Sequence, residues 1–183
     1  MQSQPIGFLP KNTAIPTGWS SLRQVTEICS VSCHVNSTPD GCFERWVHNR
    51  LGFFSTLADA RAAIATHPES FVVFAYRLLM VRFAAGRQEA LLPDDSLAES
   101  IPCSFVSRGF DVVSRSVTSF FECSPLSCNG MADEVPVNSG CLVETVEEAI
   151  ALAERFSLEQ PEPGPYYVVE VLREPAQAAS PAV

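Results

Sequence analysis

Two closely spaced pairs of cysteines are the residues of this chain whose type and spacing most readily suit chemistry. Three residues separate Cys29 from Cys33, and four separate Cys123 from Cys128. Such pairs can each supply two of the four tetrahedral ligands of zinc, so together they could close one site. The alternative is that all four are small apolar residues at strand ends or turns. We expect no cofactor, with zinc as the alternative.

A nucleophilic thiol is the second chemistry that these residues allow. Cys33, Cys123 or Cys128 would attack, with His34 or His48 as the base. Such catalysis needs a thiolate whose pKa is lowered by a nearby imidazole or helix N-terminus. All three histidines fall within the first 67 residues, so a pair with Cys123 or Cys128 has to form across the chain. No catalytic motif is identified, and whether the protein is an enzyme stays open.

A segment rich in serine and asparagine is the third candidate. Ser-Pro at 124–125 and Asn-Gly at 129–130 are two turn signals within eight residues, and their neighbours offer hydroxyl and amide groups to a ligand. The alternative is that these side chains satisfy backbone groups where strands end. The candidate ligand-binding residues are Cys123, Ser124, Ser127, Cys128, Asn129 and Asn138.

The net charge of the chain restricts the classes of partner that it can bind. The 183 residues include 12 Lys and Arg against 21 Asp and Glu, for a net charge of −9. Such a surface argues against nucleic acid and anionic membranes and suits a basic protein partner or a small ligand. Lys11 is the only lysine, so lysine-based covalent chemistry is not expected. Neither a phosphate-binding Gly-rich loop nor a dinucleotide fingerprint is present, which excludes the nucleotide-dependent enzymes that use them.

The apolar runs predict a protein of the cytoplasm. Residues 1–11 show no basic region followed by an apolar run, so no secretory signal is expected. The run from Phe71 to Ala85 is too short for a bilayer and contains Arg77 and Arg82. We expect the seven cysteines to be thiols.

The same landmarks recur twice in the same order, which predicts an internal repeat. Each half has a Gly-aromatic pair, two cysteines, an asparagine, a Thr-x-x-acid motif and a run typical of a strand. We predict a single globular domain with these segments: 1–17 a flexible N-terminal segment, 18–83 the first repeat, 84–108 a connector, 109–173 the second repeat and 174–183 a flexible tail.

Local patterns place the elements of each repeat. Thr56 and Thr145 each stand three residues before an acid, which predicts that helices begin there. The runs Phe71–Phe83 and Tyr166–Arg173 are typical of strands, and the first is apolar on both faces, as in a central strand. Both repeats should open with strands, although Leu22, Val25 and Ile28 also fit a helical spacing.

The predicted fold is therefore α+β, with two pseudo-symmetric β-β-α-β repeats that share a core and a mixed or antiparallel sheet. We expect a binding or interaction protein, with a basic protein or a small ligand held between the halves as partner. The alternative is a thiol-dependent enzyme or a zinc protein that uses the cysteine pairs. The sequence leaves the oligomeric state open.

Overall fold

The described residues of the computed structural model are 2–15, 24–31, 49–66, 70–94, 96–115 and 123–175. They form a small α+β domain with five strands, three α-helices and a 3-10 turn. The strands are β1 Ser3–Lys11, β2 Val72–Ala84, β3 Arg87–Ala90, β4 Val106–Ser114 and β5 Tyr166–Arg173. The helices are α1 Leu57–Ala63, α2 Pro125–Cys128 and α3 Val146–Glu159, with the 3-10 turn at Met131–Asp133. The predicted α+β class is confirmed.

All pairs of neighbouring strands are antiparallel, in the order β1-β2-β5-β4. The short β3 also pairs with β2, beyond the end of β1. Strand β2 therefore has neighbours on both sides, as its two-sided apolar sequence predicts, and β5 has the predicted bounds. An antiparallel sheet, one of the two predicted kinds, is confirmed.

The two longer helices begin where the sequence predicts. Thr56 Oγ1 accepts from the Asp59 N–H at 3.1 Å, and Thr145 Oγ1 accepts from the Glu148 N–H at 3.2 Å. The Glu148 carboxylate also accepts from the Thr145 N–H at 3.0 Å, which completes a capping box. Among the described residues, no helix is long and apolar enough to cross a membrane.

Both helices pack on one face of the sheet, which we call the helix face. Helix α1 contributes Leu57 and Ala60 to a core with Ala75 of β2. Helix α3 contributes Ala153 and Phe156 to a second core on β4 and β5. The opposite face carries alternate residues of the same strands and is covered by irregular segments, among them residues 24–31, which we call the strap. We call this opposite face the strap face. Cys29 and Val31 of the strap pack in the core of this face, whereas Val25 and Ile28 pack in the second core.

The strand predicted to open the first repeat does not appear in the described part of that segment. Residues 24–31 form no strand, and residues 18–23 lie outside the description. The strand is instead β1, inside the segment 1–17 that was predicted to be flexible, and Ile6, Phe8 and Leu9 are buried there. Two prolines and a glycine within Pro5–Pro10 hide its pattern, and prolines are tolerated in a strand that pairs along one edge.

The other predicted boundaries also shift. The connector predicted at 84–108 contains β3 and the start of β4. Each predicted repeat has two strands before its helix. In the described residues, one strand precedes the helix of each half: β1 precedes α1, and β4 precedes α3. In the predicted tail 174–183, the Glu174 N–H donates to the Val73 carbonyl at 3.0 Å, and residues 176–183 lie outside the description.

Candidate functional site

Two opposite charges, one from each outer strand, meet across a single peptide group. Lys11 ends β1, Asp111 lies in β4, and both side chains are fully buried. Lys11 Nζ donates to the Ser30 carbonyl, and the Val31 N–H donates to Asp111 Oδ2 at 2.6 Å. That carbonyl and that N–H belong to the same peptide bond. We call this arrangement the polar clip.

Strand alternation turns both charged side chains toward the strap face. Lys11 shares its side of β1 with Leu9, and Asp111 shares its side of β4 with Val113. Buried charges require partners, because transfer from water into an apolar interior is strongly unfavourable. The strap supplies a partner to each charge through its own backbone, so the clip joins the two outer strands to the strap.

Burial moves the pKa of both charged groups toward neutrality. The pKa of Lys11 falls to about 8 because the buried ammonium loses its hydration, although the charge of Asp111 opposes this. The pKa of Asp111 rises to about 7 for the same reason, although hydrogen bonds oppose the rise. The strongest of these comes from Ser124 Oγ, 2.5 Å from Asp111 Oδ1. Both groups therefore change protonation near neutral pH.

Three buried hydroxyls have no hydrogen-bond partner among the described residues. They belong to Ser30 in the strap, Tyr76 in β2 and Ser127 in α2. Burial holds the pKa of Tyr76 well above its ordinary value, and the charges of Cys29 and Asp111 add to the rise. Most buried polar groups in proteins are hydrogen-bonded, so these exceptions call for an explanation. We call these three residues, with Lys11, Asp111 and Ser124, the polar cluster.

The strap is fastened to the sheet by further polar contacts. The Glu27 carboxylate accepts from Arg108 at 2.6 Å and from Arg173 at 2.8 Å. The Cys29 N–H donates to the Gly140 carbonyl at 2.9 Å. The strap is thus held at several points, and the polar cluster lies beneath an anchored segment.

The predicted zinc ligands do not form a metal centre among the described residues. Cys29 is buried in the strap, and Cys33 lies outside the description. Cys123 precedes helix α2, and Cys128 is the last residue of that helix. No group of three or more His, Cys, Asp or Glu side chains suited to a metal ion is present in the described ranges. Because one of the four cysteines is not described, zinc stays a prediction.

The predicted thiol chemistry gains little from the buried cysteines. Burial raises the pKa of Cys29 to about 11 and that of Cys141 to about 12, so both stay protonated at neutral pH. Cys33, His34 and His48, which the nucleophilic mechanism needs, lie outside the described residues.

The predicted ligand-binding loop divides between two places. Ser124 and Ser127 join the polar cluster around Asp111. Asn129 Nδ2 instead donates to the Pro161 carbonyl at 2.6 Å, away from the cluster. Asn138 Nδ2 donates to the Arg108 carbonyl at 2.7 Å, and its Oδ1 accepts from two N–H groups of its own loop. Asn138 therefore anchors backbone, as the alternative interpretation of the loop expected.

Sequence reasoning did not select Lys11, Ser30, Tyr76 or Asp111. Two signals were present: Lys11 is the only lysine, and Asp111 interrupts the apolar run Phe110–Val113. A charge inside an otherwise buried strand indicates either a paired buried group or a site.

The polar cluster can bind a small molecule through several kinds of group. It combines an amine, a carboxylate and four hydroxyls, all of them on buried residues. These groups can donate or accept hydrogen bonds, and the two charged ones can exchange protons near neutrality. Comparisons with protein families, curated proteins and solved structures find no match to this chain.

Proposed function

We propose that this is a binding protein that holds a small polar ligand in the polar cluster, between its two halves. The observation that carries the proposal is the set of three buried hydroxyls without partners among the described residues, together with two buried charges. Each buried polar group without a partner lowers stability by about 1–3 kcal/mol. A ligand that supplies the missing hydrogen bonds recovers part of that free energy, which favours binding.

The proposal includes an internal duplication whose first copy begins in β1. Gly7 in β1 and Gly109 in β4 support it, because each follows a shift in strand register and has a positive φ, of 137° and 124°. A Cβ at either position would lie 2.6 Å from a backbone carbonyl oxygen, of Phe54 and Val143 respectively. Glycine is therefore required twice, for the same reason.

Two asparagines support the same duplication. Asn49 Nδ2 donates to the Ile6 carbonyl at 2.8 Å, as Asn138 Nδ2 does to the Arg108 carbonyl at 2.7 Å. Each Oδ1 accepts from the N–H groups two and four residues later. Each asparagine thus ties the loop before a helix to the strand that opens its half.

The strand register supports a two-fold relation centred on the ligand site. Gly7 pairs with Tyr76, Gly109 pairs with Val171, and Tyr76 pairs with Val171. An axis that relates the halves would therefore pass between Tyr76 and Val171. With Gly7 matched to Gly109, Lys11 corresponds to Val113, so the proposed site is asymmetric although its frame is duplicated.

The cytoplasm is the proposed setting, and the buried thiols of Cys29 and Cys141 suit a reducing compartment. A basic protein partner is a second proposal, which rests on the net charge of −9.

A melting-temperature screen with matched variants tests the ligand site. Tyr76→Phe removes an unpartnered hydroxyl on the strap face, whereas Tyr166→Phe removes one that exchanges hydrogen bonds with the Glu162 backbone. The probes are acetate, ethylamine, glycerol, propanal and glycine, which represent five chemical classes. We expect one class to raise the melting temperature of the wild type and of Tyr166→Phe, and to raise that of Tyr76→Phe less. Equal responses of all three proteins to every probe would overturn the proposal.

A further inference from the structure

We infer that Lys11 is an imine-forming site, at which a small aldehyde or ketone condenses reversibly with Nζ inside the polar cluster. The inference rests on the proposed function, because it names the chemical class of the ligand. It also departs from the expectation, drawn from the scarcity of lysine, that this chain does no lysine chemistry.

The unmet hydrogen bonds of the cluster point to a ligand that accepts them. An ammonium group has three donors, and the described structure gives Lys11 Nζ one acceptor, the Ser30 carbonyl. The Ser30 and Tyr76 hydroxyls add two donors without partners among the described residues. A carbonyl oxygen accepts up to two hydrogen bonds, so it satisfies part of this surplus of donors.

The charge balance of the cluster favours a neutral ligand. Lys11 and Asp111 already bring one positive and one negative charge to opposite sides of the same peptide group. An added anion would lie near the buried carboxylate, and an added cation near the buried ammonium, each without a counter-charge. An uncharged aldehyde or ketone avoids both penalties.

Burial also prepares the amine for this reaction. The pKa of Lys11 falls to about 8, so a much larger fraction of Nζ is unprotonated at neutral pH than in an exposed lysine. Only the unprotonated amine attacks a carbonyl carbon, and a desolvated lysine is a recognised way to obtain it.

The reaction needs no oxidant or reductant. The ammonium releases a proton to the solvent, and the Nζ lone pair forms a bond to the carbonyl carbon while the carbonyl π electrons move to oxygen. That oxygen takes a proton from solvent, and the nitrogen gives up one of its two hydrogens as a proton. The carbinolamine then loses its hydroxyl as the nitrogen lone pair forms the C=N bond, and the nitrogen gives up its remaining hydrogen as a proton, so that hydroxide and proton leave together as water. Free amine plus carbonyl compound thus gives imine plus water, and hydrolysis reverses it.

Asp111 is a positioning residue in this scheme. Its carboxylate holds the Val31 N–H at 2.6 Å, and the carbonyl of that same peptide group receives the Lys11 amine. The clip therefore orients Nζ, and it places a negative charge one peptide group from the positive charge of a protonated imine.

Reductive trapping tests the inference on the full chain. Native protein is treated at pH 7.5 with propanal and sodium cyanoborohydride, which reduces an imine to a stable secondary amine. Peptide mapping separates propylated Lys11 from the propylated α-amino group. Propanol replaces propanal in one control, and the wild type unfolded in urea is a second control that requires no variant.

We expect Lys11 to be propylated at least about tenfold faster in native than in unfolded protein, because its pKa returns toward 10.5 on unfolding. Tyr166→Phe, on the helix face, should leave the trapping rate of Lys11 unchanged. Slower reaction of Lys11 in the native protein than in urea would overturn the inference and leave the clip as a structural feature.

The outcome is distinguishable from failure of the proposed function. If Lys11 is not trapped but a probe other than propanal still stabilises the wild type more than Tyr76→Phe, the binding site stands and the imine is wrong. If Lys11 is not trapped and no probe distinguishes Tyr76→Phe, both proposals fail.

Discussion

The two faces of the same sheet are built in different ways. On the helix face, Phe156 of α3 packs against Tyr166 with ring centroids 5.9 Å apart, and the Tyr166 hydroxyl is bonded to the Glu162 backbone. On the strap face, the Tyr76 ring packs 4.9 Å from that of Phe53, yet its hydroxyl has no partner among the described residues. Buried tyrosines on the two faces thus differ in whether their polar ends are satisfied.

Under the proposed function, this difference separates stability from ligand binding within one domain. The helix face is apolar and its tyrosine is satisfied, so its residues contribute mainly by burial. The strap face keeps Lys11, Asp111 and the Tyr76 hydroxyl in the interior, where buried charges and unpaired polar groups lower stability. Unsatisfied buried groups are rare in native proteins, and the proposed ligand site accordingly lies on the strap face.

The largest expected effect comes from breaking the polar clip on one side. Lys11→Met leaves the Asp111 carboxylate buried without its opposite charge and should lower the free energy of unfolding by about 3–5 kcal/mol. The double variant Lys11→Met, Asp111→Leu removes both charges and should recover much of that loss. Urea unfolding measures four proteins: the wild type, Lys11→Met, Asp111→Leu and the double variant. A double variant as unstable as the sum of the two single variants would show that the two charges are not coupled.

The next effect is a pH dependence that is confined to the strap face. Burial raises the pKa of Asp111 from 3.8 to about 7, so between these values the folded protein holds a proton that the unfolded chain has lost. The contribution of Asp111 to stability is therefore complete below pH 3.8 and falls as the pH rises toward 7. Lys11, whose pKa falls to about 8, contributes stability that rises with pH from about 8 to 10.5.

The difference in the free energy of unfolding between the wild type and a variant isolates the contribution of the substituted group from all others. Wild type minus Asp111→Asn should fall between pH 4 and pH 7, when the free energy of unfolding in urea is measured at each pH. Phe156→Leu on the helix face is the control, and it should lower stability by a similar amount at every pH. Parallel curves for the wild type and Asp111→Asn would contradict the assignment of the raised pKa to Asp111.

The smallest effect compares the two tyrosines directly. Tyr166→Phe breaks the hydrogen bond to Glu162 and should lower the free energy of unfolding by about 1 kcal/mol. Tyr76→Phe removes a hydroxyl without a described partner and should leave stability unchanged or raise it slightly, without added ligand. A loss at Tyr76 equal to that at Tyr166 would mean that the Tyr76 hydroxyl is already satisfied.

The parts of the fold that local sequence determines were predictable. Thr56 and Thr145 predict the starts of their helices because each capping threonine and the acidic residue that follows it lie within one helical turn. The bounds of β5 follow from a continuous run of β-branched and aromatic residues. Strand β1 was missed because Pro5, Gly7 and Pro10 interrupt its pattern, and its stability comes from pairing with a distant β2.

The site itself depends on contacts that no local pattern encodes. Lys11 and Asp111 are 100 positions apart in sequence, and they meet because β1 and β4 both turn these side chains toward the strap. The peptide bond between them comes from a third segment. The sequence singled out Ser124 because it lies in a predicted turn. Its hydrogen bond to Asp111 forms only when α2 folds against β4, which no local pattern predicts.

The central claim is that the only lysine of the chain is buried in an unusual electrostatic environment, and a single NMR titration tests it directly. Protein labelled with ¹³C-lysine gives one side-chain Cε signal, because Lys11 has no other lysine to overlap it. We predict that this signal titrates near pH 8, and near the ordinary lysine value in urea. A native titration midpoint near 10.5 would contradict the account, because it would place Lys11 in contact with water and outside the polar clip.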